Sequence, residues 1–224
     1  MPTPIPGKIT AWSFSRWGDY EQCPLKAKLK HVDRLKEPGS PAMDRGSSIH
    51  KLAEDYVKGT IRNLPPELKS FAAEFKVLRK EKAIAEEQWA FTAQWGMSDW
   101  FGPSAWLRVM TDASLIKGDT LRVIDYKTGK EREEHKLQLE LYQLAGLLRY
   151  PDIQKVSAEL WYLDLGKIAP EETSFITRDK LNALKLVWMK RTKAMLSDTR
   201  FAPKPGNYCR WCHWRKDNGG PCQF

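Results

Sequence analysis

Val123-Ile124-Asp125-Tyr126-Lys127-Thr128-Gly129-Lys130, VIDYKTGK, is the stretch on which the reading of this chain turns. It begins as a β-rich run, ends in an acid and a lysine, and breaks at glycine. Side chains alternate across a strand, so Asp125 and Lys127 point to one side. One reading is an ion pair at a strand end. The other is a metal ligand beside a cation that holds a nucleophilic water.

The neighbouring sequence supplies a frame. Trp106 to Ile116 reads as a strand joined to Leu121–Lys127 by the tight turn Lys117-Gly118-Asp119. Residues 135–149 read as a helix, with Leu137, Leu141, Leu144 and Leu148 on one stripe. Val156–Asp164 is another strand and Thr173–Thr177 one more, followed by a long helix over 178–197 with a basic outer face.

Upstream, Glu87–Trp95 reads as a strand, followed by the loop GMSDWFGPS. Before it come three helical stretches. The first runs from Ser13 to about Leu35, with Ser13 or Ser15 as N-cap and Pro24 forcing a kink or a split. The second covers 43–60, and the third opens at Pro65-Pro66 and ends near Lys82. The first ten residues, with three prolines, read as a loose lead-in. Helices, then a hairpin, a crossover helix and a further strand predict an α/β fold, a mixed β-sheet core flanked by helices. Asp125 falls where a strand leaves that sheet, a usual place for ligand chemistry in α/β proteins.

The length, 224 residues, suits one compact domain over 1–224, with the sheet and crossover helix at 84–177. Lys and Arg number 37 against 28 Asp and Glu, a net charge of +9, which points to a polyanionic partner and first to nucleic acid. Ten tryptophans include some beside charge, as in Ser98-Asp99-Trp100-Phe101-Gly102, where stacking on bases competes with simple burial. No run reaches 18 apolar residues and MPTPIPGKIT has no apolar signal region. The expectation is therefore no membrane, a cytoplasmic location (or the interior of a host cell, if viral) and reduced cysteines.

Asp112, in the strand before the turn, can reach the same end of the sheet as Asp125. Two carboxylates there repel unless a divalent cation holds them, and oxygen ligands suit Mg²⁺ or Mn²⁺. Lys127 then orients a water or meets charge growing on a phosphate. Gln138 and Tyr142, four apart, share a helix face beside the leucine stripe. His50 and Glu54 share another, after Arg45 and Gly46.

Taken as an ordered series, Arg45-Gly46-x-x-x-His50, Asp112, Asp125-x-Lys127 and Gln138-x-x-x-Tyr142 resembles the PD-(D/E)XK nucleases of the RecB- and AddB-like exonuclease branch, including CRISPR-associated RecB-like exonucleases. The resemblance implies a restriction-endonuclease-like sheet and metal-dependent hydrolysis of DNA phosphodiesters, exonucleolytic, in recombination, repair or replication. It implies that His50, Asp112, Asp125 and the Tyr126 carbonyl bind the cation. Lys127 serves the attacking water, while Gln138 and Tyr142 position the lysine and the strand. Glu54 and Glu87 are outer candidates. Val109 stands where the family usually has glycine, three residues before the middle aspartate. The chain has no Gly-x-x-x-x-Gly-Lys loop, so ATP-driven unwinding of DNA would fall to a helicase or recombination partner. Tyr142, Lys130, Lys190 and Arg191 are the candidate contacts to DNA, single-stranded or with accessible ends. Basic positions such as Lys185 and Lys193 equally suit a solvated face.

The cysteines are Cys23, Cys209, Cys212 and Cys222. Cys209-x-x-Cys212 is a two-ligand chelate that Cys222 can join, and the chemistry alone leaves zinc and an iron–sulfur cluster open, with His31 or His213 able to replace a thiolate. Asp19-Tyr20-Glu21-Gln22-Cys23-Pro24 resembles the N-terminal segment of the cluster-bearing RecB-like nucleases. That likeness implies a 4Fe–4S cluster joining segments 13–35 and 201–224, with zinc as the lesser alternative.

Overall fold

The computed structural model describes residues 7–224. Its elements are α1 (Phe14–Gln22), α2 (Pro24–His31), α3 (Pro41–Lys58), α4 (Ala72–Lys80), β1 (Ile84–Phe91), β2 (Met97–Ser98), β3 (Leu107–Lys117), β4 (Thr120–Lys127), α5 (His135–Arg149), β5 (Lys155–Tyr162), β6 (Lys167–Ala169), β7 (Phe175–Thr177) and α6 (Leu181–Ser197). The seven strands form one mixed sheet in the order β2-β1-β3-β4-β5-β6, with β7 also paired to β5. β4 and β5 are parallel, joined by the α5 crossover, and the other pairings are antiparallel. The expected α/β architecture is present: a mixed sheet flanked by helices.

Each sheet face carries its own core. On one side α5, α6 and α1 cover Leu107, Val109, Leu121, Val123 and Val156, with Trp12 and Trp188 stacked at 5.7 Å. On the other, α3 and α4 cover Ala85, Ala113, Ile124 and Trp161, with Phe71 stacked on Trp161 at 5.3 Å. Gly146 of α5 lets that helix lie close: a Cβ there would meet Leu121 Cδ2 at 2.6 Å.

One irregularity locates the site. Trp89, Phe91, Leu107 and Val109 belong to the first core, whereas Ala85, Ala113 and Leu115 belong to the second. All are odd-numbered, so the period-two alternation reverses partway along both β1 and β3. The reversal in β1 falls at Glu86, whose φ is 56°. Across the pairing register lies the Thr111–Asp112 step of β3. There, too, β4 parts from β3: their ladder ends at Ala113↔Ile124. At Leu107 the vacated edge of β3 is taken by Trp12, in a parallel bridge. The stretch of β3 edge between Trp12 and β4 opens onto a groove.

Several expectations need correction. The first strand is Ile84–Phe91, not Glu87–Trp95, because Thr92–Gly96 closes a turn (Thr92 N–H to Gly96 O, 2.8 Å) into the short β2, inside what reads as loop. The third helix is a 3₁₀ turn over Pro66–Phe71 followed by α4. Of the loose lead-in, residues 1–6 lie outside the described residues, while Ile9 is buried. The break at Pro24 is a full split, with Ser13 capping α1.

Candidate active site

β4, parted from β3 but still paired with β5, carries Asp125 and Lys127 with their side chains toward α5, as alternation requires. Gly129, at φ 114°, then turns the chain away. Asp125 is 5% exposed. Its Oδ1 accepts from the Tyr142 hydroxyl in a short hydrogen bond and from Gln138 Nε2 at 3.1 Å. Lys127 Nζ sits 2.6 Å from Asp125 Oδ2 and donates to Gln138 Oε1 at 2.9 Å. The lysine contact is close but poorly aligned, so Oδ2 is buried with charge beside it and no hydrogen bond. Gln138 thus grips the acid, the lysine and the Tyr142 hydroxyl together.

Asp112 approaches from β3. Its Oδ2 takes the Tyr126 N–H at 2.5 Å, a side-chain substitute for the ladder bond that the parting strands cannot form. Its Oδ1 meets His50 Nδ1 at 3.0 Å. Burial, and then the charge of Asp125, push the Asp112 carboxyl above its ordinary value, against the pull of His50. Burial works against the His50 imidazolium, yet the Asp112 hydrogen bond and charge outweigh it and raise its pKa. α3 is brought within reach by Gly46, where a Cβ would lie 3.1 Å from Thr128 Oγ1, and by the two-pronged Arg45–Asp164 pair at 2.9 and 2.7 Å.

A third acid joins from β1. The His50, Glu86 and Asp112 ligand atoms lie within 4.8 Å of one another. Burial, then Asp112 and Glu54, raise the Glu86 carboxyl. Sequence reading singled out its neighbours instead. Glu87 faces the other way, onto Ser114 (2.9 Å) and Tyr150 (2.6 Å), and Glu54 binds Lys51 and Lys58 along its own helix. No periodicity could have found Glu86, because the residue that breaks the alternation is the one that matters.

The donor set fits a divalent cation. It offers carboxylates from three strands, one imidazole and a buried carboxylate oxygen without a hydrogen bond, and burial, with neighbouring negative charge second, raises two of the acids, Asp112 and Glu86. Carboxylate-rich sets with one nitrogen suit Mn²⁺ and Mg²⁺.

His50, Asp112, Asp125, Lys127, Gln138 and Tyr142 all line one groove of about 970 Å³, along with Arg16, Trp100, Arg108 and His135. Lys130, Lys190 and Arg191 do not line it. Lys190 is exposed, and Arg191 pairs with Glu140 and lies over Trp188 at 4.9 Å.

The cysteines meet at a second cavity of about 200 Å³, lined by Cys23, Cys209, Cys212 and Cys222 with Tyr208, Trp211 and Trp214. Cys23 accepts the Lys204 N–H at 3.4 Å and Cys209 the Gly206 N–H at 3.3 Å. His31 is engaged elsewhere, 2.8 Å from Asp19.

Comparison with known proteins agrees with this geometry. The profile of the PD-(D/E)XK nuclease superfamily matches residues 11–116 and 101–216. This chain is a PD-(D/E)XK nuclease family member. A candidate exonuclease from Eubacterium rectale has a similar fold, at 12% identity and a TM-score of 0.54, covering 94% of this chain and 87% of its own. More distant are SSO0001 (15% identity, TM-score 0.46, covering 97% and 89%) and LHK-Exo in complex with dAMP (15%, 0.44, covering 86% and 87%). No curated protein matches. Among the described residues, no helix is long and apolar enough to cross a membrane.

Proposed function

We propose that this nuclease is a divalent-metal-dependent deoxyribonuclease of the RecB-like branch, acting exonucleolytically on single-stranded DNA or accessible DNA ends. The observation that carries the reading is the Asp112–Asp125–Lys127 cluster: two buried acids that repel, an orphaned carboxylate oxygen and a lysine, at the end of an open groove. His50, Asp112, Asp125 and the Tyr126 carbonyl, with Glu86 beside them, would hold Mg²⁺ or Mn²⁺. The bound cation supplies positive charge opposite the phosphate and lowers the pKa of water.

The side chains have distinct tasks. Lys127 Nζ, held between Asp125 and Gln138, presents its remaining donors to the groove, where they orient a water or meet charge on a phosphate oxygen. Gln138 and Tyr142 fix the Asp125 rotamer, so the acid and lysine keep one geometry.

The chain acts as one nuclease domain over 1–224, with the sheet and crossover at 84–177. Segments 13–35 and 201–224 join through the four cysteines around a 4Fe–4S cluster. Supporting a shared metal group is the meeting of the thiols from both segments at one cavity. All four thiols line that cavity of about 200 Å³, as a group bound by both segments requires. The cluster's role is structural, and Cys209→Ser should bleach a brown colour and destabilise the fold. Colourless, iron-free, stable protein would remove the cluster from the proposal. The protein works in the cytoplasm, or in host cells if viral, with unwinding left to a helicase or recombination partner.

The test is degradation of end-labelled single- and double-stranded DNA by anaerobically purified protein in Mg²⁺, Mn²⁺ or EDTA, beside Lys127→Ala. Metal-dependent digestion lost in the variant is the expected result. A folded wild type inert under every condition would overturn it.

A further inference from the structure

A second feature of the groove is unexplained by hydrolysis. Its far wall holds two arginines without acid partners. Arg16, in the first turn of α1, spends one donor on Ala11 O at 2.8 Å. Arg108, on β3, spends one on Trp100 O at 2.7 Å. Neither has a carboxylate within ion-pairing distance among the described residues, although five other arginines do. The two guanidiniums are close enough to repel: burial, then the charge of Arg108, lowers the pKa of Arg16. Arg178 shows what a purely structural arginine does here, giving three bonds to the carbonyls of Leu147, Tyr150 and Ile153. Arg16 and Arg108 keep most of their five donors free.

An aromatic lies beside them. Trp100 lines the groove and sits under the Arg108 guanidinium at 6.0 Å. Phe101, next to it, is 73% exposed. Most of the tryptophans are committed to the cores, with Trp12, Trp89, Trp161 and Trp188 fully buried. Along β3, Arg108 and Asp112 are four residues apart, about 13 Å at ~3.3 Å per residue. That is the reach of a short oligonucleotide.

We propose that Arg16, Arg108 and Trp100 form a strand-holding subsite, in which the two arginines share a non-scissile phosphate and Trp100 stacks on an unpaired base. Resting on the nuclease reading, it makes the preferred substrate single-stranded. A paired base hides its faces within the helical stack, whereas an unpaired one can lie against indole. Two guanidiniums match a phosphate in geometry and charge, which relieves their repulsion.

The experiment measures binding without catalysis: fluorescence anisotropy of labelled oligothymidylate with full-length protein in EDTA, across a salt series, with melting curves for each variant. Arg108→Ala should weaken binding roughly tenfold and reduce the salt slope by about 0.7, the value for one phosphate contact on a single strand. Arg108→Lys should restore most of the slope. Trp100→Leu should weaken single-strand binding roughly tenfold, leave the slope unchanged and barely affect a blunt duplex. Wild-type affinity and slope in well-folded Arg108→Ala would overturn the subsite, and equal losses on duplex and single strand in Trp100→Leu would overturn the stacking role. A parallel cleavage assay with Mn²⁺ separates the two claims. If wild type does not cleave, the nuclease reading fails while the binding data still judge the subsite.

Discussion

Two aspartates that line the same groove, Asp19 and Asp112, have opposite surroundings. Asp19 has two lysines and a histidine ring nitrogen against it: Lys26 at 2.9 Å, His31 at 2.8 Å and Lys30 at 3.2 Å. Burial alone would raise its pKa, but the His31 and Lys26 hydrogen bonds win and hold it well below the ordinary carboxylate range. Asp112 has His50 and one backbone N–H, faces Asp125, and is pushed upward. Fully compensated charge stabilises a fold. Charge left short of a partner costs stability and is retained where chemistry needs it.

The largest effect that could break this contrast is on catalysis. Asp112→Asn and Lys127→Ala should each lower the rate of DNA digestion by about 100-fold or more, measured on end-labelled substrate under saturating Mn²⁺. Isothermal titration should show Mn²⁺ binding lost in Asp112→Asn and retained in Lys127→Ala. Digestion by Asp112→Asn near the wild-type rate would place the chemistry elsewhere.

Next is the compensated acid. Asp19→Asn should cost about 2 kcal/mol, a fall in melting temperature of roughly 4–8 °C for a chain of this size. The pH dependence has a fixed sign. Because the folded pKa of Asp19 is depressed, its stabilisation is full above the unfolded value of about 3.9 and is lost as pH falls through the folded value. Wild type should lose stability below about pH 4 more steeply than Asp19→Asn, as urea unfolding at stepped pH would reveal. Parallel acid limbs for the two proteins would remove Asp19 from the stabilising side of the comparison.

Glu86→Gly sharpens the contrast in the other direction. It relieves a left-handed backbone and one raised carboxyl together, so the melting temperature in EDTA should rise by about 2–4 °C, roughly 1 kcal/mol, while Mn²⁺ affinity falls. The smallest effect is expected at Lys190, exposed and outside the groove. Lys190→Ala should change oligonucleotide affinity by about twofold or less, with no more than a single-contact change in salt slope.

The parts of the site written in local pattern were legible. Asp125 and Lys127 stand on one face because strands alternate, and Gln138 with Tyr142 because helices repeat near four. The longer strands and helices followed from the same periods, whereas the two- and three-residue strands β2 and β6 are too short to show one; Pro24 left a kink or a split open, and the chain splits there. The parts that depend on strands parting company were not. Asp112 was placed by counting through a turn, but its hold on the Tyr126 N–H exists only because β4 leaves β3 there. Glu86 has nothing to distinguish it from Glu54 and Glu87 in the sequence, since a positive φ inside a strand leaves no compositional trace at a glutamate. Trp12, in a stretch adjoining an expected lead-in, instead completes the sheet edge at Leu107.

The reversal at Glu86 also constrains how this family member could change over generations. The residue that turns β1 over is the same one that brings a third carboxylate to His50 and Asp112. Deleting it would not shorten a strand harmlessly. Trp89 and Phe91 would rotate out of one core, and a ligand would vanish in the same step. An insertion or deletion between Ala85 and Trp89 would therefore cost a core and a ligand together, and the Asp99–Ser104 loop is tied in its own way, because it carries Trp100 onto the groove and holds Arg108 through the Trp100 carbonyl.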